Sequence, residues 1–204
     1  MGSNGLSAVR ADAAHYFNVH GACSLAAKAQ VLCTSPGLWA LMLYRFGRSM
    51  RGRPSVSARL GRIFYSVSYE LVHRLTRIWL PLDVEVGERV WLGSHGPIII
   101  SPQAAVGPGC ALYGGVTLGV AGRGENRGAP RLDANVTVCP GASIIGPVAV
   151  PAGTVVGPNT VVTRKVAGSS TWLGVPARAA GDAPCLLPSR RLAQQPGQGA
   201  TYET

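Results

Sequence analysis

One histidine that could perform acid–base chemistry lies in the segment WLGSHGP, residues 91–97. His95 follows a serine and precedes a glycine, so it is either a general base that takes a proton from a hydroxyl group or a polar residue at a bend. The other three histidines, His15, His20 and His73, fall in a region of helical pattern without carboxylate or cysteine partners at useful spacing. We interpret those three as structural residues and His95 as the candidate base.

The cysteines indicate neither a disulfide framework nor a metal site. Their number is odd and no two of them form a C-x-x-C pair. A nucleophilic role for Cys110 or Cys139 is disfavoured, because the sequence provides no base to activate either thiol. We therefore expect no metal and a reducing, cytoplasmic setting. The five residues are Cys23, Cys33, Cys110, Cys139 and Cys185.

The formal net charge of +10 suits nucleic acid, a membrane surface or an anionic small molecule. Eight arginines fall between residues 45 and 77, and we interpret them mainly as a solvated helix face. Nucleic-acid binding is disfavoured because no aromatic–basic interleaving or known module is present. No apolar run reaches about 18 residues and no signal-peptide pattern occurs, so we expect a soluble protein. Membrane-surface association stays open but is not favoured.

A repeat of six residues predicts the elements that must position His95. Its period slips by two residues between Ile98 and Val106, and it is interrupted once at residues 120–131. Neither a helix, with a period of 3.6, nor an alternating strand, with a period of 2, produces this spacing. Three short strands per coil, each with an aliphatic residue pointing inward, would form a parallel β-helix. The repeated positions are Leu80, Val86, Leu92, Ile98, Val106, Leu112, Leu118, Leu132, Val138, Ile144, Val150, Val156 and Val162.

The chain before the repeat has a helical pattern. Residues 37–50 and 57–78 carry apolar residues three and four positions apart, and Pro36 and Pro54 stand before them. We predict a helical N-terminal region over residues 1–79 with a flexible start, then a β-helix domain over 80–182 with an extended loop at 120–131. The polar, Gly- and Pro-containing segment 183–204 is predicted to be a flexible tail.

Four short segments accompany the repeat: GGVTLG (114–119), GASIIGP (141–147), VVTRKV (161–166) and GVPAR (174–178). Together with the repeat and the extended loop, they resemble the serine acetyltransferase family of the hexapeptide-repeat acyltransferase superfamily, which includes polysaccharide O-acetyltransferase relatives. The resemblance implies a mainly β fold, a left-handed parallel β-helix preceded by a small α-helical region. It also implies a homotrimer with sites between neighbouring subunits. The reaction would transfer acetyl from acetyl-CoA to a hydroxyl of an amino acid, a small metabolite or a sugar.

The same resemblance implies a catalytic histidine two residues after an inward-facing aliphatic residue. Here that aliphatic residue is Leu92, so Ser94 stands at the family's position and His95 comes one residue later. A shift of one residue turns a strand side chain to the opposite face. A local bulge at Gly96-Pro97 would restore the direction of His95, and a regular coil would not.

The family's orienting carboxylate precedes the aliphatic residue that begins the coil. In this chain that aliphatic residue is Leu80, and Trp79 precedes it, so Asp83 is the expected substitute. Serine-using members also carry a histidine before a proline in the extended loop, where this chain has Ala129. Two functions are therefore weighed: an O-acetyltransferase with His95 as base and Asp83 as its partner, and a catalytically degenerate protein that binds CoA or acts as a scaffold.

By resemblance, coenzyme A would follow a corner of the coil and bind mainly to backbone groups, with its phosphates facing cationic side chains. Acetyl-CoA is thus the expected co-substrate. The cations are equally compatible with a role in solubility. The resemblance assigns the backbone contacts to Gly119, Pro140, Gly141 and Pro158, and the phosphate contacts to Arg164, Lys165 and Arg178.

Overall fold

Four helices precede a series of short strands in the computed structural model of this 204-residue chain. The structure describes residues 5–51, 56–93, 96–124, 127–168 and 170–180, without the side chains of residues 5, 6, 56–60, 62 and 63. The helices are α1 (Gly5–Val19), α2 (Leu25–Thr34), α3 (Pro36–Met50) and α4 (Val56–Thr76).

The strands are two or three residues long and form three sheets. Sheet A has the order β1-β4-β7-β10-β13, sheet B the order β2-β5-β8-β11, and sheet C the order β3-β6-β9-β12-β14-β15. The strands are β1 (Ile78–Trp79), β2 (Glu85–Val86), β3 (Trp91–Leu92), β4 (Ile98–Ile100), β5 (Ala105–Val106), β6 (Ala111–Leu112), β7 (Thr117–Gly119), β8 (Arg131–Leu132), β9 (Thr137–Val138), β10 (Ser143–Ile145), β11 (Ala149–Val150), β12 (Val155–Val156), β13 (Val161–Val162), β14 (Thr171–Leu173) and β15 (Arg178–Ala179).

Successive strands pass from sheet A to B to C, and each strand pairs in parallel with the strand one coil away. Only β14 and β15 pair in antiparallel fashion among the described strands. The predicted parallel β-helix is therefore confirmed. Its interior is a stack of aliphatic side chains in register, nearly all fully buried, and each contributes about 1.5–3 kcal/mol of burial free energy. The stacks are Ile100, Leu118, Ile144 and Val162 on sheet A; Val86, Val106, Leu132 and Val150 on sheet B; and Leu92, Leu112, Val138 and Val156 on sheet C.

The slip in the repeat lies elsewhere than predicted. Ile100, rather than Ile98, stacks in register with Leu118, so the two extra residues fall between Leu92 and Ile100. Both Ile98 and Ile100 point inward and Ile99 points outward, since strand side chains alternate. The period alone could not distinguish the two buried isoleucines. The enlarged turn is thus the one that contains Ser94 and His95.

The helical region differs from the prediction at its start. The segment expected to be flexible forms helix α1 from Gly5 onward, and this helix buries Asp12 and Tyr16. The two predicted helices are present as α3 and α4. Helix α3 begins with Pro36, whose fixed φ suits the first helical turn. The predicted tail at 183–204 lies outside the described residues.

Helical side chains supply hydrogen-bond partners to the first coil, whose strands lie at the edges of their sheets. The Tyr16 hydroxyl donates to the carbonyl oxygen of Leu92 (3.0 Å) and accepts from the Leu92 N–H (2.8 Å). The Arg45 guanidinium donates to the carbonyl oxygen of Val86 (2.9 Å). His73 Nδ1 lies 3.1 Å from the carbonyl oxygen of Ile78. One helical residue therefore caps each of the three edges, which an open β-helix would expose to water or to another chain.

Two buried contacts hold these caps in place. Asp12 accepts hydrogen bonds from Arg45 Nε (3.0 Å) and from the Arg89 backbone N–H (2.7 Å). Burial raises the pKa of the Asp12 carboxyl, although the Arg45 guanidinium acts in the opposite direction. Gly37 packs directly on strand β3, and a Cβ at this position would lie 2.1 Å from the Leu92 carbonyl oxygen. Helix α3 can approach the coil this closely only with glycine here.

Tyr16→Phe should lower the free energy of unfolding by about 1–3 kcal/mol, because it leaves a buried N–H and a buried carbonyl without a partner. Urea denaturation followed by circular dichroism measures the loss. Tyr65→Phe is the matched control, since the half-buried Tyr65 hydroxyl makes no hydrogen bond within the described part of the chain. Equal stability of both variants and the unmodified protein would show that the cap contributes nothing.

Candidate functional site

The corner between sheets C and A contains four of the nine predicted site positions: Pro140, Gly141, Pro158 and the sequence position of His95. We call this the C–A corner and define it by the turns 93–97, 113–116, 139–142 and 157–160. Backbone hydrogen bonds connect each turn to the next: Gly115 N to Pro97 O (2.7 Å), Gly141 N to Gly114 O (3.0 Å) and Asn159 N to Pro140 O (3.0 Å). The corner is therefore one continuous column of turns along the β-helix.

Each turn of the C–A corner contains a residue with positive φ. These residues are Gly96, Gly115, Gly141 and Asn159, with φ between 52° and 98°. Glycine and asparagine adopt this conformation at low cost. At Gly141 space is a second reason, since a Cβ would lie 2.2 Å from the Asn159 side-chain oxygen. The turns are consequently packed closely enough to give the corner a fixed shape.

The turn 93–97 is larger than the others in the column. Ile100 comes eight positions after Leu92, whereas Leu118 comes six positions after Leu112 and Ile144 comes six positions after Val138. An irregular corner is what the bulge hypothesis requires. Ser94 and His95 themselves lie outside the described residues, so the direction of the His95 side chain stays a prediction.

The structure does not bring Asp83 to this turn within one chain. Asp83 follows β1 and lies at the corner between sheets A and B, which we call the A–B corner, whereas the turn 93–97 precedes β4. The Asp83 carboxylate is 60% exposed and forms an ion pair with Arg51. Nearness in sequence suggested a partner for His95, but a three-sided coil places the two positions at different corners.

Beside the turn 93–97 lies an open cleft of about 380 Å³, lined by His73, Arg74, Arg77, Trp79, Pro97 and Ile99. We call it the Trp79 cleft. Trp79 and Ile99 are paired neighbours on the outer face of sheet A, 44% and 48% exposed. The His73 ring lies perpendicular to the Trp79 ring, with 5.1 Å between their centroids. The sequence indicates a structural role for His73, since no carboxylate or cysteine partner lies at useful spacing; its contact with Trp79 arises because α4 ends at Thr76 and the chain turns into β1.

The predicted cofactor residues separate into two groups. Pro140, Gly141 and Pro158 lie at the C–A corner, where Pro140 and Pro158 are exposed. The Gly141 N–H and the Pro140 carbonyl already bond neighbouring turns, so their main role here is to shape the column. Gly119 is the last residue of strand β7, so it lies on the A–B side of sheet A rather than at the C–A corner. Its carbonyl accepts from the Gly146 N–H (2.9 Å).

The three predicted phosphate ligands belong to the last part of the β-helix. Arg164 and Lys165 follow β13, and Arg178 lies in β15 at the end of sheet C. All three side chains are exposed, and none forms an ion pair with another described residue. They are therefore available to an anionic ligand.

The extended loop leaves the coil at the A–B corner. It folds back on itself through a bridge between Ala121 and Gly128, with N–H to carbonyl distances of 3.1 and 3.0 Å. Ala129 is half-buried and packs against the core. An apolar residue therefore stands at the loop position where the resemblance expects a histidine.

No protein-family model matches the chain. A serine acetyltransferase of Synechocystis sp. is 33% identical over 153 residues, which are 73% of this chain and 57% of the relative. A serine acetyltransferase of Synechococcus elongatus is 31% identical over 153 residues, covering 73% of this chain and 59% of the relative. The crystal structure of Neisseria gonorrhoeae serine acetyltransferase in complex with serine superimposes with a TM-score of 0.69 at 21% identity, covering 85% of this chain and 68% of that chain.

The chain is a relative of the serine acetyltransferases. Its fold is a left-handed parallel β-helix, as the sequence resemblance implied, and the solved serine acetyltransferase shares it. The chain spans 57% and 59% of the length of the two relatives named above.

Two further features of this serine acetyltransferase relative concern metals and membranes. No group of three His, Cys, Asp or Glu side chains among the described residues is arranged to hold a metal ion. Within the described ranges, no helix is long and apolar enough to cross a membrane.

Cys110 is a buried residue with little thiolate character. Its Sγ donates to the carbonyl oxygen of Asp133 (3.0 Å), and burial raises the pKa of the thiol to about 11. Cys23 and Cys33 are exposed free thiols. At pH 8 we expect Cys110 to react with a thiol-specific reagent at least about 100-fold more slowly than Cys23, because the thiolate is the reacting form.

Mass spectrometry of labelled peptides measures the two rates, and labelling in 8 M urea (roughly the concentration that unfolds small proteins) serves as the control for intrinsic reactivity. Equal rates in the folded protein would contradict the burial of Cys110.

Proposed function

We propose that the protein is an acetyl-CoA-dependent O-acetyltransferase whose reaction takes place at the C–A corner. The observation that carries the proposal is the enlarged turn 93–97, which contains His95 and stands at the start of a continuous column of turns. The relation to serine acetyltransferases supports the type of reaction.

In the proposed reaction, His95 takes the proton of the acceptor hydroxyl as the hydroxyl oxygen attacks the thioester carbonyl. A new ester bond forms, the carbon–sulfur bond breaks, and the proton passes from His95 to the leaving sulfur of CoA. Proton transfer of this kind contributes about 10²–10⁴ to the rate of an enzyme. By resemblance, backbone N–H groups donate to the oxyanion, and these must be groups other than the Gly115, Gly141 and Asn159 N–H, because those three already bond neighbouring turns.

The described residues fit coenzyme A as a co-substrate. Its phosphates would face Arg164, Lys165 and Arg178, which carry no competing ion pair within the described part of the chain. The exposed prolines Pro140 and Pro158 would form the floor along which the uncharged part of the molecule lies. Acetyl-CoA supplies the acetyl group as a thioester, and the chain binds and orients it.

We further propose a homotrimer in the cytoplasm. Helix α4 exposes the row Phe64, Val67, Leu71 and Leu75, each between 59% and 67% exposed, and contact between subunits would remove this apolar surface from water. Among the described residues, Cys23, Cys33 and Cys110 are free thiols, which suits a reducing compartment. Since the Neisseria relative was solved with serine, L-serine is the first acceptor to assay.

His95→Ala should lower kcat/KM for acceptor-dependent release of the CoA thiol by a factor of about 10²–10⁴, while leaving the Kd for CoA within about twofold. Thiol release with L-serine, homoserine and sugar acceptors, together with calorimetric titration of CoA, measures both quantities. Ser94→Ala is the matched control, because Ser94 precedes His95 in the same turn, and we expect it to retain activity.

Full activity of His95→Ala would overturn the role of His95. CoA binding without turnover of any hydroxyl acceptor would overturn the enzymatic proposal and favour a degenerate CoA-binding protein.

Asp83→Asn should change kcat by less than about twofold, because the Asp83 carboxylate is exposed and bound to Arg51 at the A–B corner. The same thiol-release assay measures it. A loss comparable to that of His95→Ala would show that the assembled protein brings Asp83 to the reacting groups after all.

A further inference from the structure

The Trp79 cleft has a composition that selects for a particular kind of ligand. Two flat apolar surfaces, the Trp79 ring and the Ile99 side chain, lie side by side on the outer face of sheet A. The described lining contains cations but no carboxylate. A ligand that combines an apolar face with a negative charge would therefore satisfy both the exposed ring and the arginines.

Arg77 has a backbone conformation that arginine rarely adopts. Its φ is 58°, at a helix end where glycine is the usual residue. Two backbone hydrogen bonds fix it there, from the Arg77 N–H to His73 O (2.7 Å) and from the Ile98 N–H to Arg77 O (3.2 Å). The left-handed conformation costs about 1–2 kcal/mol for a residue with a side chain. Strained residues of this kind cluster at active sites and ligand-binding sites, which makes Arg77 a candidate for a function.

The Arg77 guanidinium is also the less engaged of the two cations in the cleft. Arg74 forms an ion pair with Glu70 (2.8 Å), whereas Arg77 forms none with a described residue. A guanidinium binds a carboxylate through two parallel hydrogen bonds. Arg77 therefore offers a carboxylate-binding group at the rim of the Trp79 ring.

His73 adds a hydrogen-bond acceptor to the same cleft. A carbonyl oxygen can only accept, so in the neutral ring the Nδ1 that faces Ile78 O carries the proton. Nε2 is then the unprotonated nitrogen and can accept from a hydroxyl group. The cleft thus combines an aromatic surface, a cation for a carboxylate and an acceptor for a hydroxyl.

We propose that the Trp79 cleft binds the acceptor of the acetyl transfer, and that this acceptor is a sugar carrying a carboxylate. The C–H face of the sugar ring packs on Trp79 and Ile99, its carboxylate pairs with Arg77, and a ring hydroxyl donates to His73. Pro97, which follows His95 by two residues, belongs both to the lining of the cleft and to the C–A corner. The assignment of this ligand as acceptor rests on the proposed function; the binding itself does not.

Binding is tested with the full-length protein by tryptophan fluorescence, using glucuronate as the probe, glucose as its uncharged counterpart and L-serine as the small amino acid. Glucuronate should change the fluorescence and bind at least about tenfold more tightly than either other compound. Trp79→Phe should abolish most of the signal and preserve most of the affinity measured by calorimetry, since phenylalanine keeps an aromatic face.

Arg77→Gly separates binding from folding, because glycine adopts the required φ without strain. This variant should melt at the same temperature as the unmodified protein or higher, yet bind glucuronate at least about tenfold more weakly. Arg51→Gln, which removes an exposed arginine at the A–B corner, is the matched control for net charge and should leave glucuronate affinity within about twofold.

Equal affinity for glucuronate and glucose, unchanged glucuronate affinity in Arg77→Gly, or no binding of glucuronate would each overturn the assignment of the cleft. Acetyl transfer to serine without glucuronate binding would refute the cleft and leave the acetyltransferase intact. Glucuronate binding without CoA-dependent acetylation would leave the ligand site standing and refute its role as the acceptor site.

Discussion

The rest of the structure depends on one constraint: the backbone N–H and carbonyl groups of the first coil need hydrogen-bond partners. A β-helix passes its hydrogen bonds from coil to coil, and at its first coil the N–H and carbonyl groups of three strand edges have no strand to pair with. Tyr16, Arg45 and His73 meet that need from three different helices. Burial raises the pKa of the Tyr16 hydroxyl, so it stays protonated and can both donate and accept. The helices are therefore an integral part of the β-helix, because they complete its open end.

The same caps connect the fold to the candidate chemistry. Tyr16 and Gly37 hold Leu92, and the enlarged turn 93–97 begins at the next residue. His73 holds the edge of β1 and at the same time lines the Trp79 cleft. Two of the three caps thus border the region where we propose that acceptor and acetyl-CoA meet. The hydrogen bonds of these caps fix the position of the turn on the coil. A different packing of the helical region would therefore also shift the Trp79 cleft.

The six-residue period of the aliphatic residues predicted the β-helix, because neither a helix nor an alternating strand produces this period. The stacked aliphatic residues occupy the predicted positions almost throughout. It could not distinguish Ile98 from Ile100, since both are buried and only the pairing register decides between them. Helix α1 was missed because its important buried residues, Asp12 and Tyr16, are polar and bind backbone groups rather than forming an apolar stripe. The sequence could not show that Asp83 and the turn 93–97 lie at different corners of one chain, or that His73 lies beside Trp79, because the corners of a coil and the end of a helix decide such contacts irrespective of separation in sequence.

A crystal structure of the protein with CoA and glucuronate bound would test the account most directly. The account predicts that CoA lies along the C–A corner with its thiol end at the turn 93–97, and that a hydroxyl of the bound sugar lies about 2.6–3.2 Å from the His95 imidazole. It also predicts the glucuronate carboxylate on Arg77 and a hydroxyl of the sugar between His95 and the sulfur. CoA bound at another corner, or His95 turned into the interior of the coil, would contradict the central claim that this corner is where the reaction takes place.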